Sequence, residues 1–230
     1  MKVNPPGVAA GRGYYANEIS NKASMGTKAF SKFKKTIHRC IDLVLTYEKM
    51  HQLHGLGQEL PASKDILRAA VVLAVAALDA YSTDAFSEKL VPYLKKYKAD
   101  QSLIDLLREA GLDTKEALAL IVMERPFRRI RTLISNYHST YTTQRFDVID
   151  KLFLSYRLKN FTSSAEAKTG KRRLRASVEN LVMRRHEIVH DGDYNSYGRI
   201  KEIDCAQVKR KINNLQILVS SMDDVLCSRI

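Results

Sequence analysis

Apolar residues recur at helical spacing along nearly the whole chain from Phe30 onward. Phe33, Ile37, Ile41, Val44 and Leu45 stand three and four apart, which predicts an amphipathic helix from residue 30 to about residue 50. His54, Gly55, Gly57 and Pro61 then mark a loop. Ser63 is a candidate N-cap for a second helix through AAVVLAVAALDAYSTDAF, apolar on every side in its middle, which is the mark of the central helix of a bundle. Pro92 should kink or end it. A short helix over 102–110 stops at Gly111. Another begins near Thr114, is interrupted at Pro126 and resumes over 127–137, and a further one spans 144–156.

The polar stretch 160–170 reads as a loop. After it, KRRLRASVENLVMRRHEIVH, residues 171–190, reads as one helix stopped near Gly192. In the last helix Val208, Ile212, Leu215, Val219, Met222 and Leu226 alternate steps of four and three, a seam for packing on neighbouring helices. No segment alternates long enough for a strand, and no repeat is present. The expectation is an all-α, single-domain helical bundle over residues 24–230, preceded by a flexible N-terminal arm over 1–23, where Pro5, Pro6, Gly7, Gly11 and Gly13 break any helical period.

Charge changes the picture from a fold to a partner. Lys and Arg total 38 against 25 Asp and Glu, a formal net charge of +13 with a sequence pI of about 9.6. A polyanion such as nucleic acid is the partner this suits, against the plainer reading that the charge only keeps the chain soluble. Cys40, Cys205 and Cys227 lack the spacing of a zinc site or a disulfide framework and read as reduced thiols of a cytoplasmic protein. The N-terminal residues lack the apolar run of a signal peptide. The apolar stretch 69–80 is short for a membrane span and contains Asp79, so it reads as core and no membrane is expected.

The chemistry concentrates in RRHEIVHDGD, residues 184–193. His186, Glu187 and His190 match the zinc-hydrolase pattern H-E-x-x-H, in which histidines four apart share a helix face. No histidine follows His190, no downstream carboxylate is a clear third ligand, and Arg184 and Arg185 would repel a dication. No metal or other cofactor is therefore expected.

The same residues carry a second pattern. Arg185, four intervening residues and His190, with the polar His186 directly after the arginine, resemble the R-x4–6-H motif of HEPN proteins. Arg184 to His190 and Arg131 to His138 also satisfy the spacing; Arg185 and His190 combine it with a late helix, a polar follower and a glycine stop. The chain looks most like the RiboL-PSP branch, since an apolar helix of the AVVLAVAALDAY kind precedes a late helix ending in R-x-x-x-x-H-D-G. The resemblance implies a metal-independent ribonuclease leaving a 2′,3′-cyclic phosphate and a 5′-hydroxyl, a homodimer, and the role of a toxin or antiphage defence effector with an antitoxin or regulatory partner. A HEPN domain that binds RNA or acts as a scaffold without cleaving is the rival reading.

Helix geometry adds an argument of its own. At 100° per residue, Arg185 falls among Val178, Leu181, Val182, Ile188 and Val189 on the core side, while His186 and His190 lie about 40° apart on its flank. A guanidinium on an apolar stripe needs a partner, and Asp79 is the charge within the apolar run, so an Asp79–Arg185 pair is expected, either supporting the site or only fixing helix packing. Cleavage needs a proton carrier near neutral pH, assigned to His190 with His186 as a second carrier or a polar support. It also needs fixed positive charge on the phosphorane, assigned to Arg185. Arg184, Lys171, Arg172, Arg173 and Arg175 are candidate phosphate grips, against the reading of an ordinary solvated face. Arg185 and His190 sit about 140° apart around one helix, so either local unwinding at Gly192 or a two-fold dimer must bring them together.

Overall fold

The computed structural model describes residues 26–53, 61–139 and 142–230. Among the described residues there are nine helices: α1 Lys28–Leu53, α2 Pro61–Lys96, α3 Gln101–Glu109, α4 Thr114–Ile121, α5 Pro126–Ser139, α6 Phe146–Leu154, α7 Phe161–Lys168, α8 Leu174–His190 and α9 Cys205–Arg229. The fold is an all-α bundle. The expected arm over 1–23 and the loop residues 54, 55 and 57 lie outside the described residues.

The all-round apolar helix is the axis of the bundle. α2 packs on α1, α5, α6, α8 and α9, burying Leu67, Val71, Val75, Leu78, Phe86 and Leu90 along its length. It is long and apolar enough to cross a membrane, a property that the core helix of a bundle shares, and the surrounding helices bury much of it. It continues past Pro92 to Lys96. Buried Leu90 and Tyr93 hold that last turn against the core while Pro92 itself faces solvent.

α1 begins where a buried carboxylate meets it. Asp223 of α9 accepts from the Thr27 backbone N–H at 3.0 Å and from its hydroxyl at 2.5 Å. Glu88 of α2 accepts from the N–H groups of Lys28 and Ala29 at 3.0 and 3.1 Å. Donors that a helix start leaves unpaired are thus satisfied by two other helices.

α2 also starts at Pro61, which puts Ser63 inside the helix instead of at its N-cap, and two further expectations fail at α7 and α8. Residues 161–168, read as loop, form α7, because Phe161, Thr162 and Ala165 are buried and Asp150 of α6 accepts from the Thr162 backbone N–H at 2.7 Å and its hydroxyl at 3.0 Å. That cap comes from outside the segment. The late helix starts at Leu174 rather than Lys171, since Gly170 and Arg173 take positive φ of 68° and 65°, a conformation that interrupts a right-handed helix.

Candidate active site at the end of α8

Leu174, Val178 and Leu181 bury one face of α8. The helix ends in the turn its Gly192 requires. The Asp193 N–H returns to the Glu187 carbonyl at 3.1 Å, Gly192 sits at φ +62°, and a Cβ there would meet the Tyr194 ring at 3.1 Å. This is a Schellman-type stop.

Asp193, at φ +63° and 1% exposed, is the hinge pin of the region. Its Oδ2 accepts from Arg68 Nε of α2 at 2.6 Å and from Arg184 Nη2 at 2.8 Å. Arg68 also donates to the Lys201 carbonyl at 2.7 Å and Arg184 to that of Glu202 at 3.1 Å. Both arginines therefore clamp the return segment of a small hairpin-like loop closed by the isolated Tyr194–Ile200 bridge. Arg184 further pairs with Glu187 at 3.2 Å, as does Lys201 at 3.2 Å. Burial raises the Glu187 carboxyl, but its bonds and charge contacts with Lys201 and Arg184 prevail and hold it below the ordinary carboxylate range.

The neighbouring arginine is placed differently. Arg185 is half-buried, its Nε is sealed from solvent without a hydrogen-bond partner, and no carboxylate of the described residues pairs with it. The expected Asp79–Arg185 pair is not formed. Asp79 accepts instead from the Thr143 N–H and hydroxyl, both at 2.6 Å, and from Gln144 Nε2 at 3.4 Å. The reason is axial position. The end of α8 meets α2 at Arg68, and Asp79 stands about 16 Å further along, level with the beginning of α8, where Arg175 lies 5.2 Å over the Phe146 ring. A helical wheel gives the face but not the height.

His186 and His190 are exposed and stacked obliquely, with ring centroids 4.5 Å apart. Large apolar and aromatic residues near them in the sequence are also exposed: Met183, seven residues before His190 on the same face, Tyr194 and Tyr197 of the hairpin, and Val189, which the helical wheel puts on the core side. Glu187 is committed to Arg184 and Lys201, so the H-E-x-x-H triplet lacks the base a zinc hydrolase requires. Among the described residues no third His, Cys, Asp or Glu joins the pair.

The expected phosphate grips separate into three groups. Lys171, Arg172 and Arg173 are exposed in the turn before α8, about 24 Å along the axis from His190. Arg175 is held on Phe146 with its Nε sealed. Arg184, expected to grip RNA, is occupied by Asp193 and Glu187 because it points at the helix stop. In the second motif His138 is 5% exposed with neither ring nitrogen bonded, and burial pulls its pKa down to about 4. Arg68 and Asp193 escaped sequence reasoning. The one signal for Asp193 was its place after Gly192 in H-D-G-D.

A family model described as RiboL-PSP-HEPN matches residues 32–228. No curated protein and no solved structure gives a match. HEPN domains are associated with RNA, as ribonucleases or RNA-binding modules, which agrees with the basic charge of the chain. With nearly all of the described bundle inside the match, the chain belongs to the RiboL-PSP-HEPN family.

Proposed function

We propose that the protein is a metal-independent endoribonuclease whose reacting groups are Arg185, His190 and His186. The observation that carries this reading is the division between adjacent arginines. Arg184 is consumed by the Asp193 network, whereas no carboxylate of the described residues pairs with Arg185, which directly precedes the exposed His186–His190 pair in the chain. A guanidinium without an acidic partner is costly in a purely structural role and is what a phosphorane needs. In the reaction a ribose 2′-oxygen attacks the adjacent phosphorus, a histidine takes the 2′-hydroxyl proton, and the 5′-oxygen leaves as a hydroxyl after receiving a proton. The products are a 2′,3′-cyclic phosphate and a 5′-hydroxyl end.

The site is completed by a second copy of the chain. α8 remains helical through His190, so unwinding at Gly192 comes too late to swing His190 toward Arg185, and their roughly 140° separation persists. Two α8 helices side by side about a two-fold axis would pool two arginines and four histidines in one cleft. In the cell this activity suits a cytoplasmic RNA-cleaving toxin or antiphage defence effector restrained by an antitoxin or regulatory partner.

Incubating purified protein with end-labelled RNA, with and without EDTA, tests the reading. Cleavage insensitive to EDTA and ending in a cyclic phosphate is expected. Cleavage that EDTA abolishes and zinc restores would replace it with a metalloenzyme, and binding without cleavage with a scaffold.

A further inference from the structure

At the other end of α2 lies a cavity of about 410 Å³ between the end of α2, the α6–α7 turn and the end of α9. α2 passes the α8 stop at Arg68 and reaches the cavity at Tyr93, 25 positions on, about 37 Å along the axis. The cavity is therefore separate from the α8 motif.

Its walls combine three tyrosines with three cations: Tyr93, Tyr97 and Tyr156, and Arg157, Lys159 and Arg229. The Tyr93 ring lies 5.1 Å from that of Tyr97 and 4.7 Å from that of Tyr156. Two of the hydroxyls are committed, Tyr156 to the Phe86 carbonyl at 2.6 Å and Tyr97 to the Arg229 carbonyl at 3.2 Å. The third is not. Tyr93 is 2% exposed and its hydroxyl is buried with no partner, and a buried hydroxyl is almost always hydrogen-bonded.

The cations are also under-used. Arg157 makes only long bonds, to Asp100 and to the Lys98 carbonyl, both at 3.4 Å, with more than half of its side chain exposed, and neither Lys159 nor Arg229 has a side-chain carboxylate partner among the described residues. Arg157 holds φ +59° just after α6, a position where glycine is the unstrained choice. The chain thus keeps a guanidinium at the mouth of this cavity against its backbone preference.

We infer that this cavity binds a mononucleotide unit, with its phosphate on Arg157, Lys159 and Arg229 and its base against Tyr97, where the Tyr93 hydroxyl gains a hydrogen-bond partner. The volume is in the range of small-molecule sites. A planar heterocycle suits an aromatic wall, and a base edge supplies the acceptor or donor that an orphaned phenol needs. The same chemistry is offered by a free nucleotide or by one nucleotide of an RNA chain.

Calorimetric titration of the full chain with AMP, GMP, CMP and UMP, with the matching nucleosides, with inorganic phosphate, and with 2′-O-methyl tetranucleotides that cannot undergo 2′-oxygen attack separates the cases. At least one mononucleotide or tetranucleotide is expected to bind. Lys159→Glu and Arg229→Glu, both at the solvent rim, should each weaken it tenfold or more with the circular dichroism spectrum unchanged, and Tyr93→Phe about threefold. Binding of mononucleotides assigns the site to a free ligand; binding of the tetranucleotides alone assigns it to RNA. The inference is overturned if phosphate binds as well as any nucleotide, if nothing binds at millimolar concentration, or if binding ignores the rim substitutions.

Discussion

Arg184 and Asp193 are joined at 2.8 Å across the turn that ends α8, and the same carboxylate oxygen holds Arg68 of α2 at 2.6 Å. One buried acid thus ties the motif helix to the central helix and to the hairpin that follows. It also sets the position of the next residue, Arg185, by fixing the helix end from which that side chain projects.

Substitutions on either side of this relationship should separate stability from activity. Asp193→Ala leaves two guanidinium groups, one of them 8% exposed, without their shared counter-charge, and loss of one partner of a buried pair costs about 3–5 kcal/mol. Arg184→Ala should destabilise in the same direction. Arg185→Ala removes no ion pair, so its unfolding free energy in urea should stay within about 1 kcal/mol of the parent while RNA cleavage falls at least a hundredfold. An active, unstable Arg185→Ala protein would reverse the assignment of the two arginines.

Asp79 should act on the entrance to α6 and not on Arg185. Removing its carboxylate frees the Thr143 N–H and hydroxyl, at a cost of about 1–3 kcal/mol for buried groups left unpaired. A double-mutant cycle between Asp79→Ala and Arg185→Ala should give a coupling energy within about 0.5 kcal/mol of zero, as for residues with no shared partner. A coupling of several kcal/mol would restore the direct pair.

The helices that carry long apolar periods are legible in the sequence itself: α1, α2 and α9 depend on their own spacing, and the all-round apolar middle of α2 marks it as the axis. α7 was not legible, because its eight residues are held by Asp150 and by burial of Phe161, neither of which leaves a period in the segment itself. At the site, the 40° between His186 and His190 follows from helix geometry and appears as a 4.5 Å ring contact. Which of two adjacent arginines would be paired, and with which acid, depends on how far along α2 the end of α8 comes to rest, and one-dimensional spacing carries no such height.

Acid should destabilise the bundle through His138. Burial lowers its pKa to about 4 in the folded chain, against about 6.5 when unfolded. Between those values the unfolded chain binds more protons, so stability is intact above pH 6.5 and is lost as pH falls toward 4, by about 3 kcal/mol for this group. Urea denaturation across that window should show the fall. His138→Leu, which packs a neutral side chain against Phe86, should flatten the curve over the same interval. A slope unchanged by the substitution would place the titrating group elsewhere.

The last prediction concerns assembly. Met183 is 60% exposed on α8, and Ile121 is 78% exposed on α4, so exposure alone does not distinguish them as docking residues. Met183 shares a face with His190, since seven residues return a helix to within about 20° of its starting direction. If two α8 helices meet there, Met183→Glu sets two carboxylates against each other at the axis, which an apolar contact does not tolerate. Sedimentation of the parent at micromolar concentration should report twice the 26.1 kDa chain mass, that of Met183→Glu a single chain, and cleavage should fall with the dimer. Ile121→Glu should change neither, because α4 is remote from the motif. Mixing Arg185→Ala with His190→Ala chains then counts the clefts: one shared cleft gives partial rescue or none, whereas two separate composite clefts leave one intact pair in each mixed dimer. A Met183→Glu monomer that cleaves at the parental rate would mean that one copy of α8 suffices.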